Sequence, residues 1–104
     1  MEKIVRQGLL YDFYGALLNE HRKSIYEAYV YDNMSLSEIA NEHGISRQGV
    51  HDLIKRCDES LEEYEDKLHL VEKFMSIKEE VEQIEKKADS DEIKALAAKI
   101  LEQL

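Results

Sequence analysis

A chain of 104 residues carrying 23 Asp and Glu against 14 Lys and Arg, a formal net charge of −9, has room for one modest core and little for a separate catalytic domain. It holds no Pro, four Gly and a single Cys, which excludes an internal disulfide framework and leaves little to punctuate strands, so the expected fold class is all-α. No run of about 18 apolar residues occurs and the first residues include Glu2, Lys3 and Arg6, so no membrane insertion and a cytoplasmic location are expected.

Residues 3–18, KIVRQGLLYDFYGALL, space Val5, Leu9, Leu10, Phe13, Leu17 and Leu18 as one face of a first core helix, despite two glycines. Residues 20–31 repeat the pattern with Ile25, Tyr26, Tyr29 and Val30. Ser35 followed by Glu38 reads as a capping box that starts a short helix with Leu36, Ile39 and Ala40, and Gly44 ends it. Ser46 is placed to cap the next helix, from Arg47 to about Ala88.

The segment MSLSEIANEHGISRQGVHDLIKRC, residues 34–57, has the pattern of a helix-turn-helix. That motif needs a small residue where two helices cross, a glycine in a turn of positive φ, and apolar residues locking the second helix on the first. Ala40, Gly44, and Ile39, Ile45, Val50 and Leu53 fill those places. With these turned inward, the second helix presents Arg47, Gln48, His51, Asp52, Lys55 and Arg56. Gln48 and His51 are candidates for base edges, Lys55 and Arg56 for phosphates, and Ser46 for a phosphate at the helix N-terminus. Asp52 either accepts from a cytosine amino group or repels the backbone. Gly49 costs about 1 kcal/mol of helix propensity and either allows close approach to DNA or touches nothing. Even with Arg22 or Lys23 added, one copy supplies few phosphate contacts, so double-stranded DNA would be held weakly unless two copies act together.

The pattern offers a means of pairing. Val50, Ile54, Cys57, Leu61, Tyr64, Leu68, Val71 and Met75 follow one 4, 3 rhythm, after which Leu70, Phe74, Ile77, Val81, Ile84 and Ala88 continue it one residue out of register. A break is expected near residues 75–77, where Ser76 and Glu79 could cap, in preference to one at Ser60 and Glu63. A last helix, 91–104, is expected to start from Asp89 and Glu92 and to turn Ile93, Leu96, Ala97, Ile100, Leu101 and Leu104 inward. The long seam suits either a homodimer or packing back on the same chain, and it exceeds what the remaining helices can cover, which favours the homodimer. The expected division is a helix-turn-helix domain, 1–57, and an acidic helical extension, 58–104. Residues 1–57 carry 8 acids and 7 bases, and 58–104 carry 15 and 7, so the acidity is assigned to a distant extension screened from DNA within roughly 8 Å.

Other chemistry finds little support. His43, His51 and Cys57 match no four-ligand metal spacing; no phosphate-cradling loop or nucleophile elbow is present, and neither cofactor nor enzymatic activity is expected. Tyr11, Tyr14, Tyr26, Tyr29 and Tyr31 read as core and rim packing rather than base-stacking platforms. EEVEQIEKK, residues 79–87, reads as a solvated face or, more sharply, an acidic docking surface.

LSEIANEHGISRQGVHDLIKR resembles region 4 of bacterial sigma factors, and together with LLYDFYGALL, YDNMSLSEIA and EEYEDKLHLVEKF it resembles the YlxM family of small bacterial proteins over most of residues 4–75. The resemblance implies a sigma-region-4-like trihelical core with a long C-terminal helical extension, DNA reading through Arg47, Gln48, His51 and Lys55, and an accessory role linked to the signal recognition particle pathway. Gly49 departs from the sigma pattern, and the upstream sigma regions that bind polymerase are lacking. Two readings stand: a dimeric DNA-binding regulator, and an interaction module whose acidic C-terminal half binds a component of the signal recognition particle.

Overall fold

The computed structural model describes residues 1–104 as six α-helices and one 3₁₀ turn, with no strand: α1 (Lys3–Tyr14), the turn Gly15–Leu17, α2 (Glu20–Val30), α3 (Leu36–His43), α4 (Arg47–Leu68), α5 (Leu70–Lys87) and α6 (Asp91–Glu102). The all-α expectation therefore holds. No helix is long and apolar enough to cross a membrane. The chain divides into two compact units, Met1–Leu68 and His69–Leu104. The expected boundary after Cys57 lies inside α4, which runs unbroken through Ser60 to Leu68.

In the unit 1–68, α4 packs on α1, α2 and α3. Its contribution is the first half of the 4, 3 seam: Val50, Ile54, Cys57 and Leu61 are all buried, opposite Leu10, Ile25, Tyr26 and Ile39 of the other helices. Complete burial of a side chain such as Leu61 contributes about 1.5–3 kcal/mol. This stretch of seam is consumed inside its own unit rather than held for a twin.

The first helix is shorter than expected. It gives way to the 3₁₀ turn after Tyr14, and a Cβ on Gly15 would stand 2.7 Å from the Tyr11 ring, so the chain turns where only glycine fits. Val5 and Leu17, expected in the core, are 53% and 59% exposed; Gln7, Tyr11 and Tyr14 are buried in their stead. The tyrosine expectation holds: Tyr11, Tyr14 and Tyr26 are core, Tyr29 is half-buried and Tyr31 lies at the rim with its ring edge on Tyr11.

The helix break sits at His69, not at 75–77. His69 adopts the left-handed conformation (φ 56°) and α5 begins at Leu70; histidine is among the residues that enter that region most readily. The slipped register itself begins at Leu70, so the chain breaks where the second rhythm starts. Ser76 is left in the middle of α5 and caps nothing.

In the unit 69–104, α5 packs on α6. Ser90, not Asp89, caps α6, its hydroxyl accepting from the N–H groups of Glu92 and Ile93. Of the face expected to turn inward, Ala97 is buried and Leu101 half-buried, whereas Ile93, Leu96, Ile100 and Leu104 are exposed. Two helices have one mutual interface, too narrow to cover a stripe this wide.

Candidate nucleic-acid interface

Short-range chemistry fixes the turn between α3 and α4. Ser35 Oγ accepts from the Glu38 N–H at 3.1 Å and the Glu38 carboxylate accepts from the Ser35 N–H at 3.2 Å, a complete capping box. Gly44 ends α3 at φ 66°, and the N–H groups of Gly44 and Ile45 both reach the Ala40 carbonyl. Nothing lies within 4 Å of a Cβ placed on Gly44, so the demand for glycine there is conformational. Ser46 then caps α4 by accepting from the Gly49 N–H at 2.9 Å. Ile39 and Val50 are fully buried at the crossing, with Ala40 and Ile54 beside them.

Ser46, Arg47, Gln48, His51, Asp52, Lys55 and Arg56 are all exposed. Gln48, His51, Asp52 and Lys55 fall on one outward stripe of α4 by their spacing, and Asp52 is its hub. Asp52 accepts from the Gln48 side-chain amide at 2.9 Å and lies 3.5 Å from His51 Nδ1. The Gln48 hydrogen bond, then that of His51, holds its carboxyl below the usual carboxylate range. The Ser46 hydroxyl accepts within the cap yet keeps its own proton to donate. Gly49 is half-buried, and a Cβ there would lie 3.1 Å from Ser46 Oγ; the missing side chain leaves room for the cap.

Two clefts flank this stripe. One, of about 400 Å³, is lined by Lys3, Gln7, Tyr29, His51, Lys55 and Asp58 among others. The second, of about 380 Å³, is lined by Asn19, His21, Arg22, Gly49, Asp52 and Arg56 among others. Lys3 is absent from the residues singled out by sequence; no spacing rule links it to Lys55, and its presence in the α1 first turn is the only local signal. Lys23 is tied to Glu20 at 3.6 Å.

The acidic residues are placed differently from the sequence expectation. Asp58, Glu59, Glu62, Glu63, Glu65 and Asp66 lie on α4 itself, directly after the candidate DNA-facing stretch, with no Lys or Arg among residues 58–66. Three of them are tied to other helices of the unit. Asp58 accepts from Gln7 at 2.9 Å and from the Tyr26 hydroxyl at 2.5 Å, Glu62 receives the Arg6 fork at 2.6 and 2.7 Å, and Glu65 accepts from the Tyr14 hydroxyl at 2.6 Å. Burial first, and Asp58 second, push the Tyr26 phenol far above its ordinary value; the Arg6 fork holds the Glu62 carboxyl below its usual range. Tyr11 and Tyr31 likewise donate to Glu27 and Asp12. Glu59, Glu63 and Asp66 are exposed.

Residues 1–100 match the family model described as "Putative helix-turn-helix protein, YlxM / p13 like". The chain is 43% identical over 100 residues to a UPF0122 protein of Halalkalibacterium halodurans, covering 92% of each. It is 43% identical over 100 residues to the UPF0122 protein YlxM of Bacillus subtilis, covering 92% of this chain and 91% of the relative. A UPF0122 protein of Geobacillus is 46% identical over 84 residues, 81% of this chain and 76% of the relative.

Proposed function

This chain belongs to the UPF0122 family of YlxM / p13-like helix-turn-helix proteins, and from that premise we propose that it is a homodimeric regulator that binds double-stranded DNA through the N-terminal half of α4. The observation that carries the reading is the sorting of cations in residues 1–68. Arg6, Lys23 and Lys67 are paired with Glu62, Glu20 and Glu63. Arg47, Lys55 and Arg56, on the exposed stretch of α4, close no ion pair. Cations kept free at the start of a recognition helix suit phosphate and base contacts, which in this motif come from that end of the helix. The exposed acids Glu59, Glu63 and Asp66 bound the footprint at about Arg56.

The unit 69–104 supplies the pairing surface in this reading. Ile77, Val81 and Ile84 on α5 and Ile93, Ala97 and Ile100 on α6 share one 4, 3 spacing. Only the central residue of each set is buried, while the four isoleucines and Leu96 stay exposed. A second copy of the same hairpin completes a four-helix bundle over that face. Leu96→Glu is expected to convert the dimer to a monomer in light scattering while leaving the 1–68 unit folded; a monomeric parent chain removes this part of the reading.

The experiment for the whole reading is selection of sheared genomic DNA at physiological salt followed by sequencing of the retained fragments. The expected result is a shared, two-fold symmetric site. Arg47→Ala should weaken binding to that site selectively, and Lys55→Ala should weaken binding to every sequence. Retention of nothing above background overturns DNA binding. It would favour the second reading, which rests on the exposed Glu79, Glu80 and Glu82 of α5: docking to a basic partner, for which the resemblance suggests a signal recognition particle component. Reversal of those three residues to Lys should then abolish capture.

A further inference from the structure

The two clefts beside α4 extend the binding surface to other helices, and this inference rests on the DNA-binding reading above. At 100° per residue, Gln48 points outward from the core face of α4; His51, Ile54, Lys55 and Asp58 turn to one side of it, and Gly49, Asp52, Leu53 and Arg56 to the other. Those are the α4 residues lining the two clefts. Across the first cleft the cation is Lys3 of α1, and across the second it is Arg22 of α2. Neither closes an ion pair, and neither do Lys55 and Arg56. The carboxylate in the first cleft, Asp58, is taken up by Gln7 and Tyr26; the one in the second, Asp52, by Gln48.

We propose that each cleft holds one phosphate strand of duplex DNA, Lys3 with Lys55 gripping the strand on one side of the major groove and Arg22 with Arg56 gripping the strand on the other. A helix lying in the groove has one phosphate backbone on each flank, so cations from two further helices, one per flank, fix its register and tilt. The arrangement makes α1 and α2 binding elements as well as supports for the core.

The test titrates the full-length protein against a fluorescently labelled 24-base-pair duplex of mixed sequence between 50 and 200 mM KCl. Each phosphate contact removed flattens the log–log salt slope by about 0.9, so Lys3→Gln and Arg22→Gln should each shrink the loss of affinity over that fourfold rise in salt by about 3.5-fold. Lys23→Gln, at a cation already paired with Glu20, should keep the parent slope, and unchanged thermal unfolding of all three variants would show that folding is not the cause. Parent-like slopes for Lys3→Gln and Arg22→Gln, alongside a flattened slope for Lys55→Gln, overturn the two-strand grip while DNA binding stands. No binding by the parent protein at 50 mM KCl overturns both.

Discussion

In the unit 1–68, Val50, Ile54, Cys57 and Leu61 follow the 4, 3 rhythm and all four are buried; in the unit 69–104, Ile77, Val81, Ile84 and Ile93, Ala97, Ile100 follow it too, and four of those six stay exposed. The rhythm is the same and the outcome differs because within the unit 1–68 α4 packs on three helices, whereas within the unit 69–104 α5 and α6 each have a single helix to pack on. An apolar period therefore reports that a face needs covering and leaves open what covers it. The polar groups differ as well. The first unit ties α1 and α2 to α4 through Gln7, Tyr26, Arg6 and Tyr14 on Asp58, Glu62 and Glu65, links that an α4 packed only by its seam would lack.

The widest separation between the units should come from one residue type changed in each. Leu61→Ala, at a fully buried site, should cost about 3 kcal/mol, whereas Leu96→Ala, at a site 55% exposed, should stay within about 0.5 kcal/mol in dilute solution. Urea unfolding reads this directly, since all six tyrosines lie between Tyr11 and Tyr64, so their fluorescence follows the first unit and far-UV circular dichroism follows both. Equal costs at the two sites would erase the contrast.

A smaller effect tests the polar ties. Tyr26→Phe keeps the ring and leaves Asp58 with Gln7 alone, which should cost about 1–2 kcal/mol; no measurable change would reduce the network to decoration of an apolar core.

The smallest concerns pH. The Glu62 carboxyl is held below its unfolded value by Arg6, so its contribution is present above the unfolded pKa of about 4.3 and is lost as pH falls through the folded value. Both side chains are more than 40% exposed, and solvent screening keeps the pair under about 1 kcal/mol. Glu62→Gln should remove that part of the acid-side decline and leave the neutral-pH slope alone, as measured by unfolding midpoints from pH 7 to pH 3.

Much of the candidate site was legible because its determinants are short-range. The Ser35–Glu38 box, the left-handed turn at Gly44 and the Ser46 cap each act within four residues, and the outward stripe of α4 follows from its apolar complement. Errors arose where a local signal had a rival. Ser76–Glu79 offered a cap, yet His69 could take the left-handed conformation at the point where the second register begins, and Asp89 was one residue from the hydroxyl that caps α6. Val5 and Leu17 read as core because of their period, while Gln7 and Tyr14 displaced them through partners more than 50 residues away, Asp58 and Glu65.

The sequence by itself determined the helical class, the turn motif and the side chains that motif presents, because caps, turn glycines and 3.6-residue periodicity are properties of neighbouring residues. Only the tertiary structure decided that half of the seam closes on its own unit, that the acids of α4 are partly taken up by tyrosine, glutamine and arginine, and that Lys3 and Arg22 stand beside Lys55 and Arg56. Those pairings join residues 32 to 56 positions apart, and no local free energy specifies which distant surface a helix face will meet.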